Sequence, residues 1–158
     1  MVFFTNFEIM PSESKVCFFF QDVKANLANR TRLKKYIGSI SKKEGKKLKS
    51  LNCIFCSDKD LLDLNRKYLE HNFYTDIITF DLSGTGAVQA EIYISIDRVR
   101  ENARKLDVSF KSELHRVIFH GVLHLCGYKD KTKAEKKNIR SKEDHYLNKY
   151  NLRLASFT

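Results

Sequence analysis

The amino-acid sequence predicts one α/β domain, of the α+β kind, in which a small mixed β-sheet packs against helices. The chain has 158 residues, of which 42% are hydrophobic and 12% aromatic, and it contains a single proline. That composition can bury a substantial core. Short β-branched and aromatic runs alternate with amphipathic stretches. The sequence shows no internal repeats and no segment typical of an interdomain linker. We therefore expect residues 1–158 to form a single compact domain.

The N-terminal half predicts extended segments followed by helices and one buried strand. Six phenylalanines in the first twenty residues indicate two short extended segments around Pro11 and Ser12. Apolar residues spaced among lysines predict one or two amphipathic helices within residues 22–48, and residues 51–56 predict a strand. Ser57 is a suitable N-cap, which predicts a helix from there to about residue 70.

The C-terminal half predicts a hairpin followed by three helices. Residues 75–82 and 90–94 read as strands, and the connection between them contains Ser-Gly-Thr-Gly at 83–86. This loop lacks the lysine and the following helix of a phosphate-binding loop, so it predicts a hairpin connection. Ser95 and Ser109 predict helix N-caps, the first helix ending near residue 106. Thr132 and Glu135 form the capping box of a last helix that reaches about residue 150.

The helix that begins at Ser109 carries the most distinctive chemistry. His120 and His124 are four residues apart, so both imidazoles lie on one helix face and can reach one metal ion. Gly127 suits a left-handed C-cap that turns the chain back, which would bring Asp130 to the same ion. Two imidazoles and one carboxylate leave a fourth position open, as in catalytic zinc sites. The alternative for either histidine is a hydrogen-bonded core residue.

The spacing of the two histidines also matches two of the three ligands in metzincin peptidases, His-Glu-x-x-His-x-x-Gly-x-x-His. Gly121 stands at the position of the general-base glutamate, and Asp130 stands at that of the third histidine. Without the glutamate, peptide hydrolysis in the zincin manner is not expected. His115 points away from the ligand face and Glu113 is nearly two turns distant, so neither is an expected ligand.

The net charge of +10, from 29 Lys and Arg against 19 Asp and Glu, favours a polyanionic partner. Residues 31–50 hold eight basic residues against one acid, and residues 129–142 hold seven against two. For the first segment, phosphate binding and a solvated helix face are balanced interpretations. The second segment begins inside the metal motif. We therefore expect it to contact substrate phosphates, through Lys129, Lys133, Lys136 and Lys137.

Cysteine usage and hydropathy favour a cytoplasmic protein. The four cysteines do not predict a disulfide framework, and the one C-x-x-C, Cys53 and Cys56, lies in a predicted strand whose alternation points the two thiols to opposite faces. We expect free thiols. No apolar run is long enough to span a bilayer, and residues 1–8 do not resemble a secretory leader. We therefore expect no membrane partner.

Three segments in order resemble the YbeY family of bacterial metal-dependent endoribonucleases, and the resemblance covers most of the chain. Residues 64–68 (Leu-Asn-Arg-Lys-Tyr) and 75–80 (Thr-Asp-Ile-Ile-Thr-Phe) are similar to the family's Leu-Asn-x-x-Tyr-Arg and Thr-Asp-Val-Leu-Ser-Phe. Residues 91–95 (Glu-Ile-Tyr-Ile-Ser) correspond to Asp-Ile-x-Ile-Ser. The metal segment resembles His-Gly-x-Leu-His-Leu-x-Gly-Tyr-Asp-His, with matches at His120, Gly121, Leu123, His124, Leu125, Gly127 and Tyr128.

The resemblance implies one divalent ion per chain, with Zn²⁺ as the expected ion and His120, His124 and Asp130 as its ligands. It also implies cleavage of single-stranded RNA, in maturation of the 3′ end of small-subunit ribosomal RNA and in ribosome quality control. The ribosomal RNA and the small ribosomal subunit are then partners. The chain departs from the family pattern at Asp130, where a histidine is expected, and at Leu69, where an arginine of the active-site cleft is expected.

The remaining assignments concern proton transfer and substrate charge. With Leu69 in place of the arginine, the positive charge that binds substrate would come from the second basic segment or from Arg66 and Lys67. Asp76 and Glu91 are candidate proton carriers, and the alternative for each is a strand-end or supporting carboxylate. The sequence does not choose between attack by water and attack by the RNA 2′-hydroxyl. Two other functions stay open, a metzincin-like metallopeptidase and a non-catalytic RNA- or ribosome-binding protein whose metal is structural.

Overall fold

The computed structural model describes residues 15–155, which form a four-stranded sheet and five helices. Along the chain the elements are β1 (Val16–Phe20), α1 (Arg30–Lys43), β2 (Leu48–Cys56), α2 (Asp58–Leu69), β3 (Ile77–Asp81), β4 (Val88–Ser95), α3 (Ile96–Leu106), α4 (Phe110–Leu125) and α5 (Lys133–Ala155). The predicted extended segment before Pro11 lies outside the described residues. The α/β fold with a small mixed sheet is confirmed.

The strand order is β1-β2-β4-β3, and the sheet is mixed because only β3 is antiparallel to its neighbour. β3 and β4 pair directly, from Ile77 opposite Ile94 to Asp81 opposite Ala90. The glycine-containing connection between them is therefore a hairpin loop, as predicted. Parallel pairing of β1 with β2 and of β2 with β4 requires crossovers, which α1 and α2 supply.

The two faces of the sheet have separate cores because side chains alternate along each strand. Cys53, Phe55 and Ile92 face the larger core, which contains apolar residues of α1, α3, α4 and α5. Ile54, Cys56 and Tyr93 face a smaller core beneath α2. Cys53 and Cys56 thus lie on opposite faces, and both are buried free thiols as predicted.

The predicted helix starts are confirmed by their hydrogen bonds. The hydroxyls of Ser57, Ser95 and Ser109 each accept from the backbone N–H three residues later, at 3.1, 3.2 and 3.0 Å. The Thr132 hydroxyl accepts from Glu135 N at 3.1 Å, while the Glu135 carboxylate accepts from Thr132 N at 2.9 Å. These bonds satisfy donors that a helix leaves unpaired at its first turn.

Within residues 22–48 the structure has a single helix, α1, which is one of the two predicted possibilities. Some element boundaries differ from the predictions. β2 begins at Leu48 rather than at 51, since exposed Lys49 and half-buried Ser50 hid its first residues from the apolar pattern. α5 continues to Ala155 because neither glycine nor proline follows Tyr150 to stop it. Among the described helices, none is both long and apolar enough to cross a membrane.

Candidate metal centre

The end of α4 places the two histidines on one face. His120 and His124 are one turn apart, and their Nε2 atoms are 2.9 Å from each other. α4 ends at Leu125, and Gly127 has a φ of +103°, the left-handed conformation that the predicted C-cap requires. The reversed chain is held by a hydrogen bond from Tyr128 N to Leu123 O at 3.1 Å. The chain therefore reverses direction just after the end of α4.

This turn brings Asp130 to the histidines, as predicted. Its Oδ2 atom is 3.3 Å from His124 Nε2 and 3.5 Å from His120 Nε2. The side chain of Asp130 is 44% exposed, whereas those of His120 and His124 are 18% and 27% exposed. The cluster is therefore closed by protein on the helix side and open to solvent on the Asp130 side, where a substrate can approach.

The donor set fits a tetrahedral zinc ion. Ligand atoms about 2.0–2.1 Å from zinc in a tetrahedron lie about 3.3–3.4 Å apart. The two distances from Asp130 to the histidines are close to this value, and the 2.9 Å between the histidine Nε2 atoms is shorter. Among the described residues, His120, His124 and Asp130 are the one group of three or more His, Cys, Asp or Glu side chains with ligand atoms this close together. With both imidazoles neutral and protonated on Nδ1, three lone-pair acceptors face one another, an arrangement that a cation between them would stabilise.

His124 is oriented by the backbone of the loop that follows α4. Its Nδ1 atom lies 2.9 Å from the Tyr128 carbonyl oxygen, so a proton on Nδ1 is donated there and Nε2 is left as the acceptor. The Tyr128 hydroxyl donates in turn to Glu44 at 2.8 Å. Glu44 is the C-cap of α1, so this bond ties the metal loop to a helix 84 residues away along the chain.

Glu44 accepts three hydrogen bonds, and sequence analysis did not identify it. Besides Tyr128, the Tyr146 hydroxyl donates to it, and Lys142 Nζ lies 3.1 Å from its Oε1. Burial raises the pKa of Glu44, but the three hydrogen bonds and the Lys142 charge lower it by more, so the pKa is below its ordinary value. In the sequence Glu44 is merely the lone acid of the first basic segment. Its role follows from α5 packing beside α1.

His120 is supported by charged side chains instead of backbone. Its Nδ1 atom is 3.4 Å from Oε1 of Glu143, a residue of α5 that is only 2% exposed. Arg116 donates to Glu143 at 2.7 Å and also to Glu113, which is 1% exposed. Burial raises the pKa of Glu143, but its contacts with His120 and Arg116 lower it by more, so the pKa is below its ordinary value.

Sequence analysis also missed Arg116 and Glu143. The available signal was a Glu113–Arg116 pair at i, i+3 within an otherwise apolar helix, since charged residues on a buried face need partners. Burial lowers the pKa of Arg116, but its carboxylate partners raise it by more. This pattern could have indicated a buried charged network. It could not have identified Glu143 as the partner on α5, because the sequence does not distinguish it from the other acidic residues of that helix.

The two predicted proton carriers occupy different places. Asp76 Oδ2 accepts from Asn102 Nδ2 at 3.0 Å and is 4.0 Å from Arg116 NH2, which links it to the network behind His120. Glu91 is 4% exposed and accepts from the Tyr93 hydroxyl at 2.9 Å. Its neighbours Ala90 and Ile92 face the larger core with α4. Because side chains alternate along a strand, the Glu91 carboxylate lies on the opposite, α2 side of the sheet. The structure does not bring Glu91 to the metal cluster.

The predicted substrate-binding residues fall into two groups. Exposed Lys129 lies in the same loop as Asp130, and α5 presents the exposed side chains of Lys133, Lys136 and Lys137 in its first two turns. Arg66 and Lys67 are on α2, where Arg66 donates to Asn72 at 2.6 Å and Lys67 lies over the ring of neighbouring Tyr68. Leu69 is 41% exposed beside them.

Gly121 faces the sheet and not the metal cluster. A Cβ atom there would lie 2.7 Å from Ile77 Cδ1 and 2.9 Å from Ile92 Cδ1, closer than ordinary contacts. The glycine therefore lets α4 approach β3 and β4. A glutamate at this position would point into the core and could not contact a water beside the candidate ligands. This argues against zincin-type peptide hydrolysis.

Comparison with known proteins identifies the family. The model of the family described as Endoribonuclease YbeY matches residues 19–151. The Endoribonuclease YbeY of Cytophaga hutchinsonii is 48% identical over 136 residues, covering 85% of this chain and 95% of that protein. The corresponding protein of Karelsulcia muelleri is 46% identical over 129 residues, covering 82% and 92%. A Thermotoga maritima protein solved in solution has a TM-score of 0.59 and 27% identity, covering 89% and 92%. The chain therefore belongs to the YbeY family.

Proposed function

We propose that this member of the YbeY family is a zinc-dependent endoribonuclease that cleaves single-stranded RNA at the His120, His124 and Asp130 cluster. The observation that carries the proposal is the convergence of these three ligand atoms on one point with an open side. Family membership supports RNA as the substrate, and the net charge of +10 supports a polyanionic one. Residues 1–158 act as one domain in this proposal.

When bound, zinc supplies Lewis-acid polarisation of a phosphoryl oxygen and activation of a nucleophile. The chain's own residues have three tasks. The hydrogen bond from His124 Nδ1 to Tyr128 O and the 3.4 Å approach of His120 Nδ1 to Glu143 favour acceptor Nε2 atoms directed at one point. Lys129, in the loop beside Asp130, offsets charge that develops on the phosphate. Asp76 is the proposed proton carrier because its carboxylate is linked to the Arg116 network, and the attacking group is water or the RNA 2′-hydroxyl.

The proposed biological substrate is ribosomal RNA, at the 3′ end of the small-subunit RNA, with a further role in ribosome quality control in the cytoplasm. The small ribosomal subunit is the proposed partner. Support comes from the family resemblance and from the two basic segments, which suit a large RNA surface. Lys133, Lys136 and Lys137 of α5, together with Arg66 and Lys67 of α2, are the proposed contacts to phosphates outside the metal cluster.

The decisive test combines metal analysis with RNA cleavage. Purified protein should contain one zinc ion per chain and cleave a single-stranded RNA, and His124→Ala and Asp130→Ala should each lower both zinc content and cleavage. Asp144→Ala and His145→Ala are matched controls, since both residues are exposed on α5, and both should behave as wild type. Zinc content unchanged in His124→Ala would contradict the proposed site.

One observation favours a second function, an RNA- or ribosome-binding protein whose metal is structural. Leu69 stands where the family carries a cleft arginine, so one phosphate-binding cation is missing. Under this alternative, stoichiometric zinc would be retained, RNA would bind, and no cleavage would occur. Leu69→Arg should then leave the RNA uncleaved, whereas under the main proposal it should raise the cleavage rate.

A further inference from the structure

A groove lined by lysines runs between α1 and the starts of β1 and β2, and none of its lining residues belongs to the His120, His124 and Asp130 cluster. Its volume is about 940 Å³. The floor is apolar, with Val16 and Leu48 almost fully buried. We call this feature the lysine groove, after the lysines that line it, which are Lys15, Lys34, Lys35, Lys42, Lys46 and Lys47.

Helix periodicity gathers one wall of the lysine groove. Thr31, Lys34, Lys35, Gly38 and Lys42 follow the i, i+3, i+4 spacing that places residues on one helix face. This stripe extends for about 16 Å along α1 at roughly 1.5 Å per residue. The opposite wall is formed by residues that lead into β1 and β2. Lysines from α1 and from the segments before β1 and β2 therefore line one groove with an apolar floor.

No carboxylate in the described part of the chain neutralises the lysine groove. Within residues 15–155, none of its six lysines forms an ion pair with a carboxylate, and no acidic residue lines it. Lys142 and Lys105 show the contrast, since they are paired with Glu44 and Glu101 at 3.1 and 2.7 Å. Like charges that line one groove repel each other, so an anionic partner with regularly repeated charges would stabilise them.

The groove ends next to the metal loop. Lys42 and Lys46 flank Glu44, whose carboxylate accepts from the Tyr128 hydroxyl, and the Tyr128 carbonyl contacts the ligand His124. A strand lying along α1 could therefore continue to the metal cluster without leaving the protein. The apolar floor suits the base and sugar surfaces of an unpaired strand, while the lysines suit its phosphates.

We propose that the lysine groove binds the backbone of the single-stranded RNA substrate, several nucleotides away from the cleaved phosphate. This proposal rests on the proposed endoribonuclease function for the identity of the strand. It assigns the first basic segment to phosphate binding, which the sequence left balanced against a solvated helix face. The groove is a binding surface only, so its loss weakens binding of long RNA and leaves the metal centre intact.

The test compares two triple variants with the same net charge, in the full-length zinc-loaded protein. Lys34→Gln, Lys42→Gln and Lys46→Gln together remove three of the six lysine charges of the groove, two from α1 and one from the segment before β2. The control neutralises three exposed lysines outside it, Lys59, Lys111 and Lys149. The ligand is a 2′-O-methylated single-stranded RNA, which cannot undergo 2′-hydroxyl attack. Its affinity is measured at several salt concentrations, and the RNA is checked to be intact after binding. The groove triple should reduce the slope of log affinity against log salt by about 2, and the control should leave it unchanged.

A second pair of variants probes the α1 wall of the groove without removing a lysine. A Cβ atom on Gly38 meets nothing within 4 Å, so a side chain fits there and extends into the groove. Gly38→Glu should weaken binding of the methylated strand more than Gly38→Gln, because the two side chains are close in size and differ in charge. Equal affinities of the two variants would overturn the proposal.

The outcomes separate failure of the groove from failure of the enzyme. If wild type cleaves RNA and the two triples have equal salt slopes, the groove proposal is wrong and the enzymatic proposal stands. If no variant cleaves but the groove triple alone loses its slope, the groove binds nucleic acid and the enzymatic proposal is wrong. A groove triple that loses folding stability with an unchanged salt slope would show that the three lysines stabilise the fold and do not bind the strand, which also overturns the proposal. A groove triple that loses binding of an acidic peptide but not of the methylated strand would overturn it as well.

Discussion

The two histidines of the candidate metal cluster lie one helical turn apart, yet different kinds of groups orient their rings. His124 contacts the backbone carbonyl oxygen of Tyr128, a neutral group. The side-chain hydroxyl of Tyr128 in turn donates to Glu44. His120 contacts Glu143, a buried carboxylate paired with Arg116. We call these supports the carbonyl arm and the carboxylate arm. The carbonyl arm is made by backbone and tolerates side-chain changes, whereas the carboxylate arm depends on a balance of buried charges.

The largest expected difference between the arms is in folding stability. Arg116→Met would leave Glu113 and Glu143, both at most 2% exposed, without their cation. Unpairing buried carboxylates costs about 3–5 kcal/mol. The counterpart in the carbonyl arm, Lys142→Met, removes a cation that is 37% exposed and should cost about 1 kcal/mol or less. Urea unfolding of the two metal-free variants measures both values. Equal losses would remove the distinction between the arms.

The next effect concerns His115, a buried residue of α4 that belongs to neither arm. Burial, with a smaller contribution from Lys111, lowers its pKa from 6.5 to about 4. Below pH 6.5 the unfolded chain therefore binds a proton that the folded chain does not, so stability falls as pH falls. The loss is about 1.4 kcal/mol per pH unit, or about 3 kcal/mol by pH 4.

Replacing the ring isolates this contribution. His115→Phe keeps an aromatic ring against Phe119 and Tyr150 but cannot be protonated. The free energy of unfolding of wild type minus that of His115→Phe should decrease as the pH is lowered from 6.5 to 4 and stay constant above 7. A difference that does not vary with pH would show that His115 titrates equally in the folded and unfolded chains.

A smaller effect is expected on zinc affinity when the carboxylate arm is neutralised. Glu143→Gln removes the charge that faces His120 Nδ1, and loss of such supporting groups weakens metal binding by about 10–100-fold. Glu113→Gln is the matched control. Glu113 accepts from Arg116 as Glu143 does, but Glu143 is the carboxylate that faces His120. Competition with a chromophoric chelator measures both dissociation constants. Similar affinities in the two variants would mean that the contact with His120 is not what matters.

The smallest effect is expected in the carbonyl arm. Tyr128→Phe removes the hydroxyl bond to Glu44 but keeps the carbonyl that orients His124, so zinc affinity should fall by less than about tenfold. Tyr146→Phe removes another hydroxyl from Glu44 without touching the loop and serves as control. Should Tyr128→Phe bind zinc as weakly as Glu143→Gln, the side-chain anchor would matter as much as the backbone contact.

The metal cluster itself was predictable because its determinants are close together in sequence. His120 and His124 depend on helix periodicity, and Asp130 depends on the left-handed turn at Gly127. The helix N-caps were predictable for the same reason, since each hydrogen bond joins residues three apart. The fold class followed from alternating strand and helix patterns, and comparison with relatives identified the family that the motifs resemble.

Only the tertiary structure decided which distant groups support these ligands. Glu143 and Arg116 are 27 residues apart, and Glu44 and Tyr128 are 84 apart, so neither pair follows from local spacing. Strand alternation could place Glu91 on one face of the sheet, but not show that α4 packs on the other. The sequence by itself determined the grouping of His120, His124 and Asp130 and the helix starts, because short-range geometry sets them. Packing of α1 and α5 against α4 determined the partners, because burial and charge pairing depend on the whole core.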